Sequence, residues 1–95
     1  MGSYKMNVLT LTLKKKYFDA ILSGEKTIEY RDITDYWTPR LENKDYDTIL
    51  FRNGYSPDSP TMTVEYKELT IDRQSNPNRY ALVLGEVLDS ANLKN

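Results

Sequence analysis

From Val8 to Leu13 the chain alternates, with Leu9, Leu11 and Leu13 on one side and Thr10 and Thr12 on the other. A period of two puts every second side chain on one face, so this stretch predicts a half-buried strand. The period then lengthens. Between Lys15 and Ser23, Tyr17, Phe18, Ile21 and Leu22 recur at helical spacing, and Gly24 follows where a left-handed residue commonly ends a helix. Roughly two turns, at about 3.6 residues each, cannot hold themselves in water, so packing must hold this helix.

Lys26 to Arg31 predicts a second strand. Asp32 to Asp45 is polar around Trp37, Pro39 and Leu41 and predicts a loop. One helical turn is expected to begin at Pro39, where a missing amide donor is tolerated. Asp47 to Arg52 predicts a third strand with Ile49 and Phe51 on one face, ended by the turn pair Asn53-Gly54 and a loop from Tyr55 to Pro60. Met62 to Ile71 predicts a fourth strand with a change of phase: Met62, Val64 and Tyr66 share a face, whereas Leu69 and Ile71 have the other parity. One extra residue near Lys67-Glu68 reconciles the two halves, which predicts a β-bulge there. After a loop from Asp72 to Asn78, Tyr80 to Leu88 is apolar on both faces and predicts a central strand. The polar tail from Asp89 is expected to fray.

These elements make an α+β chain: a small barrel of about five strands, antiparallel or mixed, with one main helix. Closure, or near closure, removes the exposed edges that a thin sheet leaves open. The predicted core includes Leu9, Leu11, Ile21, Ile28, Ile49, Phe51, Val64, Leu82 and Leu84. A single domain is expected over residues 1–95. Gly2-Ser3 ahead of Met6 reads as a cloning scar or a disordered start, with Met6 the natural first residue.

Composition narrows the chemistry. There is no histidine and no cysteine, which removes Ser-His-Asp and Cys-His catalysis, disulfides and thiolate or imidazole zinc sites. No metal site and no cofactor is expected. The formal charge is −1, whereas a protein that coats nucleic acid through phosphate contacts is usually strongly basic. A local basic patch on a near-neutral body stays open. No apolar run approaches the ~20 residues of a membrane span, and no signal-peptide core follows Met1, so a cytoplasmic protein is expected.

The densest local chemistry is Ser23-Gly24-Glu25-Lys26-Thr27-Ile28-Glu29-Tyr30-Arg31, where a helix ends and a charged strand begins. Thr27, Glu29 and Arg31 share a strand face; Lys26 has the opposite parity but stands at the strand entrance. The guanidinium fork suits a phosphate or a base edge, the ammonium is a mobile point charge, and a carboxylate between them orients both. The plainer alternative is a surface pair of Glu29 and Arg31, contributing ~0.2–1 kcal/mol.

Gly24, Lys26, Glu29 and Arg31 match the G-x-K-x-x-E-x-R signature of ASCH domains, relatives of the PUA RNA-binding barrel. The resemblance also takes in the opening strand and helix, Tyr36-Trp37, Arg40-Leu41, Tyr46-Asp47, Phe51-Arg52-Asn53-Gly54-Tyr55 and Tyr80-Ala81-Leu82-Val83-Leu84-Gly85, as in short phage or bacterial members. It implies a PUA-like barrel in which Lys26, Glu29 and Arg31 line a cleft for RNA or a nucleotide. Some members resemble amidohydrolases acting on N4-acylated cytidine through a lysine and a threonine of this motif. Lys26 matches the lysine, but the threonine register falls on Glu29, so no robust deacylation is expected. Others have been linked to ribonuclease activity.

Further candidates stand beside the motif. Trp37, Tyr36 and Tyr55 suit base stacking, which contributes ~1–3 kcal/mol per base; eight tyrosines in so short a chain equally suit packing at a rim. Lys14-Lys15-Lys16 is either a phosphate track or a solvated helix face. Arg52 and Asn53 suit a base edge, and Asn53-Gly54 equally suits a turn. The expected ligand residues are therefore Lys26, Glu29, Arg31, Trp37, Arg52 and Asn53, in a module that binds RNA or a nucleotide-like ligand. Two alternatives remain. One is a small hydrolase on a modified nucleoside or nucleic acid, with Lys26 as base and Glu29 as its partner. The other is a phage module that occupies a protein partner.

Overall fold

The computed structural model describes residues 6–93; Met1 to Lys5, and with them the proposed scar, lie outside the described residues. Five strands and two helices follow in the order β1 (Val8–Thr12), α1 (Lys15–Ser23), β2 (Ile28–Asp32), α2 (Thr38–Leu41), β3 (Thr48–Arg52), β4 (Thr61–Asp72) and β5 (Arg79–Ala91). One mixed sheet has the order β1-β3-β4-β5-β2 and curls into a half-barrel. β1 runs parallel to β3, and the other neighbours are antiparallel.

The barrel is not closed by strand pairing: β1 and β2 are the two ends of the sheet. Side chains cross the gap instead. The Arg31 guanidinium on β2 donates through Nη2 to the Thr12 carbonyl on β1 at 3.3 Å. One cation therefore stands where a fifth, closing ladder would have stood.

The core lies between the sheet and α1. Leu9, Leu11, Leu13, Phe18, Ile21, Leu41, Ile49, Phe51, Met62, Val64, Tyr80, Leu82 and Leu84 form its buried cluster. Ile28 departs from expectation: it is half-buried while Glu29 beside it is buried. Register gives the reason. Glu29 pairs with Leu82 and Arg31 with Tyr80, and these two β5 residues have no exposed surface, so the core-facing parity of β2 carries charge. The bulge falls where the phase change put it: Tyr66 pairs with Leu84 and Glu68 with Val83, leaving Lys67 as the extra residue. Two further shifts, each with the extra residue in β5, between Asp89 and Val87 and between Val87 and Leu84, carry no sequence signal.

The fray expected from Asp89 does not hold for Asp89 to Ala91. Asp89, Ser90 and Ala91 continue β5 by pairing with Thr63, Met62 and Thr61. Backbone ladders need amides and carbonyls, not apolar side chains, so a polar sequence joins where a partner strand offers its edge. α2 begins one residue before Pro39, and Leu41, placed in a polar loop by the sequence, is buried in the core.

Candidate functional site

Gly24 fixes how the charged strand leaves the helix. It takes φ +88°, its amide returns to the Ile21 carbonyl at 3.1 Å, and the Lys26 amide returns to Ala20 at 3.0 Å. A Cβ at such a φ is strained, which is why glycine suits the position. The reversal launches Lys26 over the end of α1 and directs β2 along the side of β5.

Glu29 is the centre, 6% exposed. Its Oε2 lies 2.6 Å from Arg31 Nη2 and accepts from Arg31 Nε at 2.9 Å, while Oε1 lies 3.5 Å from Lys26 Nζ. The two cations are themselves four-fifths buried, at 19% and 18% side-chain exposure. Lys26 Nζ also donates to the Ile28 carbonyl. Arg31 Nη1 has no acceptor among the described residues, so the fork keeps donors to offer.

Aromatic rings back the cations. Lys26 Nζ stands 5.1 Å from the Tyr30 ring centroid and 5.7 Å from that of Tyr17; Arg31 stands 4.9 Å from the Trp37 ring. Arg79 lies 3.6 Å from the other aromatic partner, Tyr30, and is ion-paired to Asp72 at 2.9 Å. This contact holds the Asp72 carboxyl below the usual carboxylate range, chiefly through the Arg79 hydrogen bond. Rings over cations favour the charge without neutralising it.

Two adjoining hollows open beside these groups. A groove of about 590 Å³ runs past Thr12, Lys14, Tyr17, Glu29, Arg31 and Trp37. A smaller one of about 290 Å³ is lined by Tyr17, Lys26, Glu29, Tyr30 and Arg79. Their lining carries four cations, Lys14, Lys26, Arg31 and Arg79, against two carboxylates, Glu29 and Asp32. The groove is thus locally basic on a chain of net charge −1. Both parities of β2 reach it because β2 is the free edge of the sheet.

Lys26, Glu29, Arg31 and Trp37 therefore come together, and Thr27, on the expected shared face, stays exposed outside the strand. Arg52 and Asn53 do not join them. Asn53 Nδ2 donates to the Leu13 carbonyl at 2.9 Å and Arg52 Nη2 to the Ser56 carbonyl at 2.8 Å, so both tie down the loop after β3. Asn53 lines a separate hollow of about 480 Å³ with Lys15, Phe18, Asp19, Leu22 and Pro60. The lysine run divides in the same way: Lys14 lines the groove, Lys15 pairs with Asp19 at 2.6 Å, and Lys16 stands 5.6 Å from the Tyr17 ring. Tyr17 and Arg79 are groove residues that sequence reasoning did not single out. Arg79 arrives through its pairing with Asp32, a contact between distant segments that no local spacing announces.

A buried anchor positions the loop that carries Trp37. The Tyr80 hydroxyl meets Thr38 Oγ1 at 2.8 Å and donates to the Glu42 carboxylate, holding both ends of α2 against β5. Burial, and then the Glu42 contact, push the Tyr80 hydroxyl pKa up. Among the described residues, no group of three or more Asp or Glu side chains is placed to hold a metal ion, and no helix is long and apolar enough to cross a membrane. Compared with family models, curated proteins and solved structures, the chain matches none.

Proposed function

We propose that this chain is an ASCH-type, PUA-like domain whose groove binds RNA or a nucleotide-like ligand. The observation that carries the reading is the convergence of Lys26 and Arg31 on buried Glu29, with aromatic rings behind the cations. Lys26 and Arg31 take phosphate or carbonyl oxygens. Both oxygens of Glu29 are engaged by the cations, so its part is to orient them rather than to meet the ligand first. Trp37 backs Arg31 and sets the plane on which a base or phosphate is met. A cytoplasmic setting supplies such ligands.

Binding rather than catalysis is the better fit. The Lys26 ammonium donates to the Ile28 carbonyl and faces the Glu29 carboxylate, and a carboxylate beside the site opposes a developing oxyanion. No turnover of N4-acetylcytidine by purified protein is expected; turnover abolished by Lys26→Ala would replace the binding reading with the hydrolase.

The test is titration of wild type, Lys26→Ala and Arg31→Ala with uridine, uridine 5′-monophosphate and a short single-stranded RNA at two salt concentrations. Wild type should bind the phosphate-bearing ligands, and both variants should lose affinity. The log–log salt slope for the RNA should fall by about 0.7 for each phosphate contact removed. Variants that bind as wild type does, or a wild type that binds none of the three, would sink the reading.

A further inference from the structure

The basic groove does not end at Trp37. The Tyr36 ring meets Trp37 edge-on, with centroids 4.9 Å apart and planes at 85°, and the Arg40 guanidinium lies 3.7 Å from the Tyr36 centroid. Within the groove, which it lines together with Arg31, Asp32 and Trp37, the Arg79 guanidinium lies 3.6 Å from the Tyr30 centroid. The same device, a guanidinium close over a tyrosine ring, therefore occurs twice beside the Lys26-Glu29-Arg31 cluster. Arg40 contacts Tyr36, Tyr36 contacts Trp37 and Trp37 contacts Arg31, while Glu29 joins Arg31 to Lys26, and Lys26 and Arg79 share the Tyr30 ring.

The Tyr36-Arg40 pair differs from the centre in accessibility. Tyr36 is 57% exposed and Arg40 is exposed, whereas Lys26 and Arg31 are mostly buried. Folding has no use for a large exposed ring, and the Arg40-Tyr36 pair lies outside the core cluster. Arg40 Nη1 donates to the Tyr36 carbonyl at 2.6 Å, which fixes its position on the ring. The outer plane of such a guanidinium is a platform on which an unpaired base stacks, and its charge meets the adjoining phosphate.

Resting on the nucleotide-binding reading above, we infer that the ligand is a single-stranded RNA segment rather than a mononucleotide. It runs from the Lys26-Arg31 centre past Trp37 to an outer subsite formed by Tyr36 and Arg40. A free nucleotide would fill the centre alone and leave the outer pair without a task. A duplex would bury its bases and leave the ring platforms unused.

The experiment compares uridine 5′-monophosphate with an oligouridylate octamer on wild type, Arg40→Ala and Arg40→Lys, with melting temperatures alongside. The octamer should bind wild type about tenfold or more tightly than the mononucleotide, the gain expected of one stacked base and its phosphate. Arg40→Ala should lose that gain and bind the mononucleotide as wild type does. Arg40→Lys should keep the salt dependence but not the gain, because an ammonium has no plane to stack on. An octamer no tighter than the mononucleotide, or an Arg40→Ala protein that keeps the gain, overturns the track while leaving the central site standing. Full recovery in Arg40→Lys overturns the stacking platform. If wild type binds neither ligand, the nucleotide-binding reading fails and the track fails with it.

Discussion

The two flanks of α1 are built from similar residue types and end in opposite states. On one, Lys15 and Asp19 form a pair whose side chains are 76% and 51% exposed, beside a loop where Arg52 and Asn53 donate to the backbone carbonyls of Ser56 and Leu13. On the other, Glu29 is buried, holds two cations, and leaves their outward donors facing a groove. An exposed pair contributes little because water competes for both ions. A mostly buried cluster is costly to break and costly to leave incomplete. The difference teaches where to look for function: polar groups that satisfy neighbouring backbone are architecture, whereas charges held to each other at a free sheet edge have capacity left for a ligand.

The sharpest way to break that comparison is to remove the acid from each flank. Glu29→Ala should destabilise by about 3–5 kcal/mol, toward the lower end because both cations reach water on relaxation, while Asp19→Ala should cost about 0–1 kcal/mol. Denaturant unfolding of the pair, with Glu29→Gln as the milder version, decides it. Equal costs would mean that the two flanks do not differ in kind.

Asn53→Ala comes next, at about 1–3 kcal/mol, since it strips the half-buried Leu13 carbonyl of its donor. It should leave RNA affinity as it was, because Asn53 faces the other hollow. A loss of affinity at unchanged stability would return Asn53 to the ligand set.

Tyr80→Phe should cost about 1 kcal/mol by removing the link to Thr38 and Glu42. Its pH signature has a definite sign. The folded-state pKa is raised, so the stabilisation is complete below the ordinary tyrosine value near 10 and fades as pH rises through the raised value. The variant should lose part of the alkaline fall in melting temperature. Tyr66, raised by its own burial and by Tyr46 and Glu68, keeps the remainder. An unchanged alkaline limb would show that the Tyr80 hydroxyl ionises as freely in the folded chain as in the unfolded one.

The smallest effect belongs to Asp72. Its carboxyl is held low by Arg79, so its contribution is present above the ordinary carboxylate pKa of about 3.9 and lost as pH falls through the depressed value. Asp72→Asn should flatten that part of the acid limb slightly and free Arg79 on its ring. An acid limb identical to wild type would place Arg79 and Asp72 apart in solution.

Much of this frame was legible in the chain. Period-two leucines placed β1, helical spacing with Gly24 placed α1, and the phase change in Met62 to Ile71 located the bulge at Lys67. Those signals are local, and local geometry fixes them. Signals that depend on partners were not legible. Ile28 looked like core and Glu29 like a cleft or surface residue until the pairing with Leu82 and Tyr80 assigned the inward parity to the charged residues. Leu41 was hidden in a polar loop, and the polar end of β5 was ordered by an edge of β4 that no residue in it reveals. The site was legible at Lys26, Glu29 and Arg31 because they lie within one short segment. Arg79 and Tyr17 come from other elements, and only the fold brings them in.

The most direct test of the account sets two equal charge changes against each other. Lys26→Ala and Lys15→Ala each remove one positive charge, from opposite flanks of α1. Titrated with the same short single-stranded RNA at the same salt, Lys26→Ala should lose about tenfold or more in affinity, an effect of the size of one charge-assisted contact. Lys15→Ala should change it by no more than the small shift that a distant, screened charge produces. Equal losses in the two variants would mean that net charge alone governs binding, and would contradict a built site around Glu29.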